Sequence, residues 1–76
     1  MTERERMTFL ERQAEEAYDR MYDARSPSDA TALYSDAKEA LYTAIGIARA
    51  LGDEAEQGRL EARLAHIKAV FRSQFT

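Results

Sequence analysis

Carboxylates at helical spacing are the first side chains in this sequence that could do chemistry. Glu11 and Glu15, Glu15 and Asp19, and Asp19 and Asp23 are each four residues apart. In a helix that spacing stacks them on one face, where a row of carboxylates can coordinate a divalent cation. A cation site inside a helical bundle also needs carboxylates or histidines converging from facing helices, with an E-x-x-H step in the best-known case. The chain has one histidine, His66, and it follows Glu61 by five residues. There is no cysteine. The row therefore reads as a solvated acidic face, and no metal ligand is expected.

His66 stands with Arg59, Arg63 and Ser73 on one flank of its segment. A lone histidine acts as a general base only with a nucleophile or an orienting carboxylate in reach. No G-x-S-x-G elbow, reactive thiol or glycine-rich phosphate loop accompanies it. We expect no catalytic residue and no cofactor, and the chain does not read as an enzyme. Arg59, Arg63, Lys68 and Arg72 would be the natural contacts for nucleic acid. The net charge of −3 disfavours that partner, because phosphate binding needs a concentrated basic surface. Glu54, Glu56 and Glu61 precede Arg63, His66, Lys68 and Arg72, an order that complements a helix dipole by about 0.3–1 kcal/mol per charge.

These side chains need elements to hold them, and the chain is short. Its 76 residues allow one domain at most. Such a chain buries only about 60–65% of the surface it exposes unfolded, so the core is small. Without cysteine, no disulfide or thiolate metal site compensates. Charged residues are 33% and hydrophobic residues 45%, the balance of a globular helical chain and not of a disordered one. Three Gly and one Pro are too few turn formers for a sheet-rich fold. No apolar run approaches the ~20 residues of a membrane span. Residues 1–6 show no basic-then-apolar leader. We expect no membrane partner and a cytoplasmic setting.

The sequence marks three helix starts. Thr2 precedes Glu5 by three residues, the S/T-x-x-E capping box in which each side chain satisfies the other's free amide. Ser26-Pro27-Ser28-Asp29 has the same form, with Pro at the first helical position, where its missing N–H costs nothing. Asp53-Glu54-Ala55-Glu56 is the third start, behind Leu51-Gly52, and Gly52 suits a left-handed helix stop. The spacing predicts helices at about 3–24, 27–51 and 54–74. Links of two or three residues at Arg25-Ser26 and Gly52-Asp53 make neighbouring helices antiparallel.

Apolar residues recur at steps of three and four in each segment. The first stripe runs from Met7 through Leu10, Ala14 and Ala17 to Met21. The second is the widest, from Ala30 and Leu33 to Ala48 and Leu51. The third holds Leu60, Leu64, Ile67, Phe71 and Phe75. The widest stripe belongs in the middle of an all-α, antiparallel up-down-up three-helix bundle. Ala37, Ala40, Ala44 and Ala48 let the neighbouring backbones approach closely, and larger residues of the flanking helices fill the space between.

Two aromatics stand apart from these stripes. On a 100° wheel Phe9 falls on the side of Gln13, Glu16 and Arg20, and Tyr42 falls near Gly46 and Arg49. Counted with Tyr22, Phe71 and Phe75, they exceed what the core of a thin bundle needs.

Ala37-x3-Leu41-x2-Ala44 has the small–large–small spacing of the second helix of a tetratricopeptide repeat, and residues 44–53 (AIGIARALGD) have the wording of its helix end and turn. Residues 37–53 thus resemble a tetratricopeptide-repeat helical hairpin, which implies a helical protein-binding scaffold. The chain departs from that pattern at Arg49, where the family has a turn-forming proline, and carries no second copy at a 34-residue interval. As a whole it also resembles short conserved bacterial proteins, a likeness that implies no function.

With no chemistry assigned, the residues point to a small helical protein-interaction module or adaptor. Phe9, Tyr42, Arg63 and His66 are its candidate partner-binding residues. The alternative is a structural homo-oligomer, most simply a homodimer that completes its core by self-association. A nucleic-acid-binding helical domain comes third.

Overall fold

The computed structural model describes residues 1–75 and contains three helices: α1 (Glu3–Met21), α2 (Pro27–Ala50) and α3 (Glu54–Gln74). The fold is an all-α three-helix bundle, and the described residues include no strand. Each helix starts where its cap residue stands. The Thr2 hydroxyl accepts from the Glu5 amide at 3.1 Å while the Thr2 amide donates to Glu5 Oε1 at 3.0 Å, closing the capping box. Ser26 Oγ accepts from the Asp29 amide at 3.1 Å ahead of Pro27, and Asp53 Oδ1 accepts from the Glu56 amide at 3.1 Å.

The two connections are built differently. At the end of α2, Gly52 takes φ 71°, its amide donates to the Arg49 carbonyl, and the Asp53 amide reaches the Ala48 carbonyl. This is a Schellman stop, and the left-handed residue it needs is glycine. No glycine stands at the end of α1. There the helix tightens instead, with the amides of Tyr22, Asp23 and Ala24 donating three residues back to Asp19, Arg20 and Met21. The regular helix therefore ends at Met21 and not at residue 24, and the first connection spans the five residues 22–26.

The core is made of small side chains along α2 and larger ones from its neighbours. Ala37, Ala44 and Ala48 are fully buried, as is Ala14 of α1, while Met21, Leu41, Leu60 and Ile67 are the largest side chains shut away from solvent. Two expectations at the edge of the α2 stripe change. Ile47, outside the predicted stripe, is buried, and Leu51, inside it, is 41% exposed at the C-cap of α2. Ile47 shares the α1-facing row with Leu33 and Ala40, seven residues apart. α1 lies close along α2, α3 leans against α2, and α1 and α3 meet mainly through long side chains.

Phe71 and Phe75 are half-buried against other rings, whereas Tyr22, although it meets two of them, remains 51% exposed. Tyr34 stacks on Phe71 at 3.9 Å between ring centroids, Phe71 meets Phe75, and Phe75 meets Tyr22 edge-on at 5.5 Å. Tyr22 in turn touches Tyr18, ring edge to ring face and hydroxyl to hydroxyl at 3.0 Å. These rings close the end of the bundle where α1 and α3 finish and α2 begins.

Candidate functional site

The acidic row of α1 has an internal role over half its length. Arg59 donates to both carboxylate oxygens of Glu11, at 2.6 and 2.8 Å, and holds Glu56 of its own helix with a second fork. One turn on, Arg63 donates to both oxygens of Glu15, at 2.7 and 2.5 Å. Both pairs are 48 residues apart, as are Tyr18 and His66, whose rings meet at 6.2 Å. α1 and α3 therefore run parallel and in register, as the up-down-up order requires. The reading of the row as wholly solvated is corrected for Glu11 and Glu15. Periodicity within α1 carries no information about which side of α3 its acids meet.

Charge shifts follow from the same contacts. The Glu15 and Glu11 carboxylates each stabilise the cation they hold, raising the pKa of Arg63 and Arg59 further above its ordinary value. Arg59 lowers Glu56, and Arg4, bound at 2.9 Å, lowers Asp53, whose other oxygen caps α3. The hydrogen bond Tyr18 shares with Tyr22, with burial behind it, raises the Tyr18 phenol.

The four sequence-predicted partner residues occupy three separate surfaces. Arg63 and His66 lie on the α1–α3 seam. Arg63 spans Glu15 and the Tyr18 ring, 5.0 Å from its centroid, and His66 is exposed at the edge of Tyr18 without a hydrogen bond among the described residues. Tyr42, 52% exposed, is on the α2–α3 seam, where Lys68 Nζ donates to its hydroxyl at 2.7 Å. The ammonium stands off the hydroxyl end, 5.1 Å from the ring centre, and this bond lowers the Tyr42 phenol. Phe9 has no such partner among the described residues. It is 48% exposed on α1 in a shallow surface with Met1, Arg4, Thr8 and Arg12.

Phe9 also begins a ridge. Phe9, Gln13, Glu16 and Arg20 follow one another at helical steps along α1, and beside them runs an open groove between α1 and α2, on the side away from α3. Its floor is Ala17 and Ala40, with Leu10 and Leu33 half-buried at either end. Comparisons with protein-family models, curated proteins and solved structures find no match for this chain. The surfaces themselves therefore carry the functional reading. Among the described residues, no group of three or more His, Asp or Glu is placed to hold a metal ion. No helix among the described residues is long and apolar enough to cross a membrane.

Sequence reasoning placed Phe9 but not the groove beside it. The signal was present as a Glu-Ala step in each helix, Glu16-Ala17 and Glu39-Ala40. A small buried residue next to an acid forms a floor and a rim only when two such steps face each other. That pairing depends on the register of α1 against α2.

Proposed function

We propose that this chain is a small, non-catalytic protein-interaction module that binds through the outer face of α1. The observation that carries the reading is Phe9. Every other aromatic side chain has a ring or hydrogen-bond partner within the bundle, and Phe9 stands on a solvent-facing ridge without one among the described residues. Interface energy concentrates in a few aromatic and arginine side chains, so one such residue beside Arg4 and Arg12 can dominate a contact. Nucleic acid is the weaker partner because Arg59 and Arg63 already hold Glu11 and Glu15.

Homo-oligomerisation is the second reading, and the alanine-rich core favours it: few large side chains are fully buried, and a second copy would add apolar burial. Sedimentation at micromolar concentrations, on the wild type and on Phe9→Ser, tests both. A concentration-dependent dimer abolished by Phe9→Ser supports the homo-oligomer. A monomer that captures a binding protein which Phe9→Ser does not capture supports the module. In either case Phe9→Ser should leave the melting temperature of the monomer, measured at concentrations too low for dimerisation, nearly unchanged. A loss of several kcal/mol would place Phe9 in the core and remove the basis of the proposal.

A further inference from the structure

We infer that the groove between α1 and α2 receives a helix of another protein that is apolar along one stripe and basic along its flanks. This rests on the interaction-module reading and adds the surface and the chemistry of the partner. Three observations lead to it.

The first concerns the backbone. The walls of the groove are two α-helices whose amides and carbonyls are bonded internally, so they offer no ladder to an extended peptide. An occupant must satisfy its own backbone, and a helix does so while fitting its ridge between two others.

The second is charge. Glu16 on one rim and Asp36 and Glu39 on the other are exposed, and none makes an ion pair among the described residues. Arg20 is the one base among the described residues that line the groove. The rims therefore present a net excess of negative charge, three acids against Arg20, above an apolar floor, which selects cationic flanks and repels acidic ones.

The third is that the opposite side of the same helix pair already holds an occupant of this kind. α3 docks there through Leu60, Leu64 and Ile67, and Arg59 and Arg63, each one residue before a leucine, take the α1 carboxylates Glu11 and Glu15. The groove side repeats the pattern, with Leu10 and Leu33 as apolar sockets and Glu16, Asp36 and Glu39 as acids lacking their arginines. Phe9 lies at the end of the α1 rim, outside the groove and beside Arg4 and Arg12.

The probes are labelled 18-residue helical peptides with leucine at positions i, i+4 and i+7, flanked either by arginine or by glutamate. Fluorescence anisotropy is measured against the wild type, against the triple variant E16K/D36K/E39K, and against the control E3K/E54K/E61K. The control reverses the same number of exposed acids away from the groove. D36N/E39Q provides a milder variant, and a thermal melt of each establishes that it is folded.

The arginine peptide should bind the wild type and the control at least about tenfold more tightly than the glutamate peptide does, and the triple variant should reverse that preference. Equal binding of both peptides, or an arginine preference that survives in the triple variant or falls equally in the control, overturns the groove assignment. If binding is lost in Phe9→Ser but kept in the triple variant, the groove assignment fails while the module reading stands. Self-association that disappears in the triple variant would make a second copy the occupant and overturn the inference of a foreign helix. Failure of both peptides to bind overturns the inference as well, leaving the module reading to the Phe9→Ser comparison.

Discussion

Arg63 shows how one side chain can be committed before any partner arrives. Its planar guanidinium matches the Glu15 carboxylate at two points and covers the face of Tyr18, a geometry lysine could not reproduce. Both partners are about one-third exposed, so solvent screening limits what the pair contributes to stability. We predict that Arg63→Met and Glu15→Gln each destabilise the fold, and that their double-mutant cycle gives a coupling of about 0.5–1 kcal/mol. Chemical denaturation of the four proteins measures it. A coupling near zero would mean that the bidentate contact is not maintained in solution. His66 and Tyr42 share this partial commitment, since each touches a residue of another helix, whereas Phe9 is left facing solvent.

At the scale of elements, the glycines separate intrinsic propensity from position. Gly46 and Gly58 lie within helices, and a methyl group added at either meets nothing within 4 Å. Each weakens its helix relative to alanine by about 0.5–1 kcal/mol, with no compensating close approach. Gly46→Ala and Gly58→Ala should therefore each raise the melting temperature by a few degrees, about 4–8 °C per kcal/mol for a domain of this size. Gly52→Ala should lower it, because φ 71° is strained for alanine even where space is open. Scanning calorimetry of the three variants checks the signs. If Gly52→Ala proved as stabilising as the other two, the Schellman stop at the end of α2 would be absent in solution. The contrast between the two connections follows the same logic, since α1 ends without glycine, in a tightened turn and a longer link.

At the scale of the whole molecule, α3 is tied to the start of the chain by polar contacts at its near end, and at its far end by rings that meet Tyr34 of α2 and Tyr22 just beyond α1. Glu5, Asp53 and Glu56 are each held below their ordinary range by hydrogen bonds, from Thr2, Arg4 and Arg59 respectively. Their folded values lie below their unfolded ones, so the stability they contribute is complete above the unfolded carboxylate range and is lost as pH falls through the folded values. The melting temperature should hold steady between pH 7 and about pH 5 and fall on acidification below about pH 4. A melting temperature that rises below that point would contradict these assignments.

By itself, the sequence determined whatever depends on neighbours along the chain. Thr2, Ser26, Asp53 and Gly52 set the helix limits, because caps and stops act over one turn. The three- and four-residue steps of Met7, Leu41, Leu64 and their companions identified the buried faces, because helical periodicity alone decides which side chains share a side. Only the tertiary structure decided what those faces meet. That Arg59 and Arg63 reach Glu11 and Glu15, that Phe71 stacks on Tyr34, and that Ala17 faces Ala40 beneath Glu16 and Glu39 all depend on the register between helices. Packing of side chains far apart in sequence sets that register, and no local spacing encodes it.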